Sequence, residues 1–287
     1  MIWVVYSILS LIWGSTWLAI KIGLEDSPPL WSAGLRFAVA CLILFLINLY
    51  RKTAYPKRIK EIAKVAMPGI FMYTISYITV YHGEQYIDSS LMSVLFASFP
   101  FFVAGMSLIM LRTEKLSLIA WLGLIIGFGG IIMIFFDSLN TSTLVFEGAL
   151  MGVIAAASAS FGSIYIRAYL RNYDIYSMAF IQLLAGTILI LMAAVLFEPI
   201  TLFKVTVKSV SALLYLSVFG TVIAFLSYYW LLNRIPVIIV SLITFITPVL
   251  AIALGYLFRT ETFSVETAIG AGLVLVGVVL ITVKKKK

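Results

Sequence analysis

The chain is 287 residues long, 63% apolar and 11% charged, with a mean hydropathy of +1.12 and a formal charge of +8. So few charges cannot cover a water-facing surface, and one globular core needs far fewer apolar side chains, so the composition excludes a soluble protein and points to a membrane. A single cysteine, Cys41, excludes a disulfide framework and a thiolate metal cluster.

Apolar runs long enough to cross roughly 30 Å of hydrocarbon, about 20 residues each, fall in order at residues 2–22, 30–50, 64–82, 89–111 and 118–136. They resume at 147–167, 175–197, 209–231, 237–258 and 265–283. Such runs must be helices, because a lone strand leaves its backbone unpaired in lipid. The first begins at residue 2 with no basic segment before it and no convincing cleavage site between Trp13 and Lys21, so it reads as a retained helix rather than a signal peptide. The predicted fold class is an all-α integral membrane protein with ten transmembrane helices and no soluble domain.

The second five runs repeat the first. Arg112-Thr113-Glu114 matches Arg259-Thr260-Glu261 at an offset of 147, which also pairs Ser117 with Ser264, Gly123 with Gly270 and Gly130 with Gly277. Upstream the offset is 148, pairing Pro100 with Pro248, Ser93 with Ser241 and Tyr81 with Tyr229. A weaker match at 146 sets Lys21 on Arg167 and Arg36 on Gln182. The organisation read from this is a first five-helix repeat at 1–140, a second at 147–283 and a basic tail at 284–287.

Loop charge orients the helices. With the N-terminus in the cytoplasm, fifteen Lys and Arg fall inside, among them Arg51, Lys52, Lys57, Arg58, Lys60, Lys64, Arg171 and Lys284 to Lys287. Four fall outside: Lys21, Lys204, Lys208 and Arg259. This bias places both termini in the cytoplasm of a cell inner (plasma) membrane. The positive charge is therefore a topological signal, with no nucleic-acid partner implied, and the terminal lysines face anionic lipid. Five helices per repeat force the second copy to enter from the opposite side. Inverted repeats are a recurrent construction of secondary transporters, in which two copies exchange conformations about a midplane site.

The residues carry a resemblance. Trp13-Gly14-Ser15-Thr16-Trp17 in the first helix, Leu35-Arg36-Phe37 in the second, and Pro100 and Pro248, each followed by Arg-Thr-Glu and a glycine-spaced helix, resemble the drug/metabolite transporter superfamily, EamA type. The resemblance spans essentially the whole chain. It implies an exporter of small metabolites such as amino acids; the same fold carrying drugs or lipophilic cations is the alternative, and a channel or non-transporting scaffold is a further one.

Candidate substrate-binding residues follow from polarity within the apolar runs. Arg36 lies about six residues inside the second run. It either anchors a carboxylate or phosphate, or reaches Glu84, Asp88 or Glu25 and holds helices together. Tyr73, Tyr77 and Tyr81 share one helical face, and the repeat sets Phe225 and Tyr229 at the places of Tyr77 and Tyr81, so the aromatics either enclose a solute or pack helices. Trp17, Ser98, Gln182 and Thr244 complete the set, and Pro100 and Pro248 are the expected hinges. No carboxylate pair, nucleophile with a base or metal-ligand cluster emerges, since the acids and His82 lie outside the apolar interiors; no catalytic residue, metal or cofactor is expected, and a proton relay is disfavoured. The GxxxG at Gly123 and Gly127, with Gly130, and Ala268, Gly272 and Gly277 in the last helix allow close helix approach, either within a monomer or in a homodimer. The partners expected are a small-molecule substrate and the lipid bilayer.

Overall fold

The computed structural model describes residues 1–111, 117–262 and 264–282. Ten helical elements follow in order: α1 (Ile2–Gly23), α2 (Pro29–Arg51), α3 (Ile59–Gly83), α4 (Ser89–Met110), α5 (Leu118–Thr141), α6 (Thr143–Tyr169), α7 (Ile175–Phe197), α8 (Val207–Leu232), α9 (Val237–Arg259) and α10 (Val265–Thr282). Among the described residues, nine are long and apolar enough to cross a membrane; α10 is apolar over Val265–Leu280 but shorter. No strand is found among them. The Arg112-Thr113-Glu114 motif, Lys115 and Lys284 to Lys287 lie outside the described residues.

Most boundaries fall within two residues of the apolar runs, and the exceptions have local causes. The third helix starts at Ile59, five residues before the apolar run, because Lys60, Glu61 and Lys64 form amphipathic turns with an acid near the N-terminus. Between α5 and α6 the expected break shrinks to Ser142, whose hydroxyl accepts the Val145 N–H and caps α6.

The repeat shows itself in backbone irregularity. In α3 the α-helix widens to a π-helix over Ile70–Ile75, and in α8 it does so over Val218–Ile223, positions separated by 148 at both ends. In α4 the helix is interrupted at Ala97 and Ser98, with Pro100 in the first turn that follows. The corresponding interruption in α9 falls at Leu242, and Pro248 sits inside the helix that restarts at Ile243. The break in α9 therefore lies upstream of the expected proline hinge: an α-helical interior has absorbed Pro248, while the short α-helix opened after Pro236 ends at Ser241.

The halves interlock. The first helix packs on α9, α2 on α7 and α4 on α6. Glycines of α5 and α10 face each other: a Cβ on Gly130 would meet the Gly270 carbonyl oxygen at 2.5 Å, and one on Gly277 the Gly123 oxygen at 2.5 Å. Their backbones touch, as small-residue faces permit, so Gly123, Gly130, Gly270 and Gly277 pack α5 on α10, whereas a Cβ on Gly272 would meet nothing within 4 Å.

A candidate solute cavity between the two halves

The irregular helices border a narrow cavity of about 70 Å³. Sixteen residues line it, and twelve form repeat-related pairs: Trp13 with Ala159, Trp17 with Ser163, Tyr77 with Phe225, Val80 with Tyr228, Phe96 with Thr244 and Phe99 with Thr247. Thr16, Ile20, Met72 and Ser76 complete it. Among the described residues, no Asp, Glu, Lys, Arg or His lines the cavity. Its wall is aromatic, with hydroxyls from Thr16, Ser76, Tyr77, Ser163, Tyr228, Thr244 and Thr247. The indole N–H groups of Trp13 and Trp17 are buried donors with no partner among the described residues. The two Trp differ in environment: Trp13 leans on Phe225 and Tyr228, with ring centroids 5.6 and 5.1 Å away, and Trp17 on Phe96 at 5.2 Å.

Two polar clusters flank the cavity, and each is the repeat image of the other. In one, Arg36 Nε donates to Thr221 Oγ1 (2.9 Å), Nη1 to the Tyr81 hydroxyl (3.2 Å) and Nη2 to the Gly220 carbonyl (3.1 Å). Its guanidinium carbon lies 5.0 Å from the centroid of Tyr77, a cation–π contact. In the other, the Tyr229 hydroxyl donates to Gln182 Oε1 (2.6 Å) and shares a 2.8 Å hydrogen bond with Tyr73. Gln182, Tyr229 and Tyr73 stand at the repeat positions of Arg36, Tyr81 and Thr221. Arg36 and Tyr81 of the first half meet Thr221 and Gly220 of the second, and Gln182 and Tyr229 of the second meet Tyr73 of the first, so both clusters join the halves. The charged one is 1% exposed at Arg36. Such a charge persists in a buried site because every arm of its fork has an acceptor.

At the end of the molecule that carries Gly23, further contacts join the halves. Glu261 accepts the main-chain N–H and hydroxyl groups of both Ser89 and Ser90, so a carboxylate from the second half caps the N-terminus of α4. Thr260, in the left-handed region at φ 54°, turns the chain between Arg259 and Glu261. Glu25 pairs with Lys208 (2.8 Å) and with Arg259, which holds its carboxyl below the usual carboxylate range. Lys204 N–H and the Thr206 hydroxyl donate to Asp26 at 2.8 and 2.6 Å. Within the first half, Lys21 donates to the main-chain oxygens of Glu84 and Ile87. At the opposite end the cross-half contacts include Tyr6 on the Ile239 carbonyl, Asn48 on the Tyr176 carbonyl and the Arg51 guanidinium over the Tyr176 ring, 4.0 Å from its centroid.

The profile of the EamA-like transporter family matches residues 1–136 and 146–283, nearly all of both halves. The chain belongs to this family. EamA relatives include an uncharacterised transporter, YoaV, of Bacillus subtilis (29% identical; 96% of this chain and 94% of the relative) and an uncharacterised inner membrane transporter, YedA, of Escherichia coli (30%; 96% and 89%). Protein PagO of Salmonella typhimurium is 31% identical over 95% of this chain and 91% of the relative. A solved crystal structure superposes with a TM-score of 0.72 at 18% identity, over 97% of this chain and 96% of that one, which is a likeness of fold. The protein is thus a multi-pass membrane protein of a transporter family, and that membership speaks against an enzyme.

Of the residues singled out in the sequence, Trp17, Tyr77, Phe225 and Thr244 line the cavity of this EamA-type fold. Arg36, Tyr81, Gln182 and Tyr229 stand one layer behind it in the two clusters, and Arg36 bonds across to the second half rather than to Glu84, Asp88 or Glu25. Ser98 is fully buried and returns its hydroxyl to the Leu95 carbonyl at the helix break. Phe96, Phe99, Val80 and Tyr228 were missed, although the offset of 148 reaches Phe96 from Thr244 and would have found it. The acids are not all solvated: Glu84, just past the end of α3, is 0% exposed. Hydropathy could not reveal this, because α1, α6 and the Glu261 turn bury it rather than its own helix.

Proposed function

We propose that the protein is a secondary transporter that exports small amphipathic metabolites, amino acids foremost, from the cytoplasm by alternating access. The observation that carries this reading is the cavity itself, walled by repeat-related pairs and flanked by repeat-related clusters. In two copies inserted with opposite orientation, what closes one end in one conformation closes the other after the copies exchange their shapes. The loop charges set the end carrying Met1 in the cytoplasm and the Gly23 end outside. In that frame the Glu261 clasp and the Glu25 pairs hold the outer face shut, and the solute enters from the cytoplasmic side.

The wall favours solutes with an apolar or aromatic body and a few hydrogen-bond acceptors. Its rings supply area, its hydroxyls and two free indole N–H groups supply polar contacts, and no wall charge offsets the desolvation of a strongly ionic solute. Counterflow in proteoliposomes tests the reading: vesicles preloaded with an unlabelled apolar amino acid should accumulate the labelled one transiently and saturably. Tyr77→Ala, which removes a ring between Phe37 and Phe225, should weaken half-saturation by about 1 to 3 kcal/mol, the usual scale for an aromatic anchor. Non-saturable flux without counterflow would establish a channel instead.

A further inference from the structure

We infer that Glu84 is a proton-binding site linked to the outer face: the face shuts only when this carboxyl carries a proton. The inference rests on the alternating-access reading, because it needs that face to open.

Glu84 is fully buried, and neither carboxyl oxygen has a hydrogen-bond partner among the described residues. The charged groups around it are engaged elsewhere. From α1, Lys21 directs its ammonium at the main-chain oxygens of Glu84 and Ile87. From α2, Arg36 is held by Thr221, Tyr81 and Gly220. From the end of α9, Arg259 pairs with Glu25, and Glu261 is held by Ser89 and Ser90 while adding negative charge near Glu84. Tyr81 and His82 precede it on its own helix, Asp88 follows in the same turn, and α6 brings Gly148 and Met151 against the adjacent Gly83. An ionised carboxylate in that position would lose its water and gain no donor. Burial therefore holds the Glu84 carboxyl well above the ordinary carboxylate range, against the opposing pull of Lys21.

The repeat shows that the scaffold does not require this acid. Arg167 in the second half donates to the Leu232 carbonyl oxygen just as Lys21 does to that of Glu84. The offsets of 146 and 148 make the two contacts equivalents. A leucine suffices in one copy; the other places a carboxyl there and gives it no partner. What it can bind in that pocket is a proton.

Opening the outer face admits water and returns Glu84 to an ordinary value of about 4.3. Above that pH, closing transfers one proton from external water to the carboxylate, and opening gives it back. The sign follows: the closed form binds more protons, so acid favours closure and each rise of one pH unit shifts the balance up to tenfold toward the open form, until the closed-state value is reached.

The test uses the full chain in vesicles of determined orientation, with Cys41→Ala as background. Ile20→Cys places a thiol on the cavity wall near the outer end, and Val205→Cys, on an outer turn at 81% exposure, corrects for the reagent's own pH dependence. With a membrane-impermeant maleimide outside, the ratio of Ile20→Cys to Val205→Cys labelling should climb between pH 5 and 9, by up to tenfold per unit. Adding Glu84→Gln, which is permanently neutral, should hold the ratio flat at its acid value. Lys21→Met, which removes the nearest cation, should shift the climb to higher pH and serves if Glu84→Gln folds poorly. A flat ratio in the parent, or an undiminished climb in Glu84→Gln, overturns the inference while leaving alternating access standing. No labelling of Ile20→Cys at any pH in any variant overturns alternating access, and this inference with it.

Discussion

Replacing Arg36 with glutamine, the residue its repeat partner carries, separates an anchor for the solute from a tie between the halves. The guanidinium makes three hydrogen bonds, to Thr221, Tyr81 and Gly220, and lies against the Tyr77 ring. Charge-assisted bonds are worth roughly 1.5 to 3 kcal/mol each, and glutamine can rebuild about one of them. The gross loss is then about 3 to 6 kcal/mol, offset in part because a charge no longer has to be buried. A net destabilisation of about 2 kcal/mol follows, which for a chain of this size lowers Tm by about 4 to 8 °C on the scale of soluble proteins. Thermal unfolding in detergent, followed by the loss of monomer on size exclusion, measures it. Half-saturation for transport by the surviving protein should be nearly unchanged, since Arg36 stands behind Tyr77 and not on the cavity wall. An unchanged Tm together with a large rise in half-saturation for a carboxylate solute would refute this reasoning and make Arg36 the anion anchor.

Gly277→Leu should separate α5 from α10 and reduce folded yield sharply, whereas Gly272→Leu, whose Cβ would meet nothing within 4 Å, should leave yield unchanged; fluorescence-detected size exclusion compares them. Orientation is checked by single cysteines in the Cys41→Ala background: one at Lys57 or Arg171 should resist an impermeant thiol reagent outside intact cells, while one at Lys204 should react, and the reverse pattern would invert the topology.

The helices were legible because lipid makes a hydropathic run and a helix the same thing. Where α3 outran its apolar segment, at Ile59, the chain had left that regime and amphipathic turns took over. The site was legible wherever one helical face decided it: Tyr77 and Phe225 stand together because the repeat and the stripe both require it. It was not legible for Arg36, whose partners Thr221 and Gly220 lie 185 and 184 residues away and are offered by a π-helical segment that no propensity announces. Glu84 shows the same limit, since a residue at a helix end is wet or dry according to what other helices bring over it. The interruption before Pro100 was legible from one residue's missing donor, but the break in α9 was not, because Pro248 is accommodated inside the helix that restarts at Ile243.

If one cavity opens to one face at a time, a thiol within it reads the exchange. Thr244→Cys, on the wall and 5% exposed, is placed in the Cys41→Ala background with cysteines also at Ser90 and Glu261, whose side chains meet at the outer face. Before cross-linking, an impermeant maleimide should reach Thr244→Cys from outside in right-side-out vesicles and from inside in inverted ones. After a short bifunctional reagent joins the outer pair, labelling from outside should fall at least tenfold while labelling from inside persists or rises. Equal labelling from both sides after the outer pair is joined would contradict alternating access and leave a pore in its place.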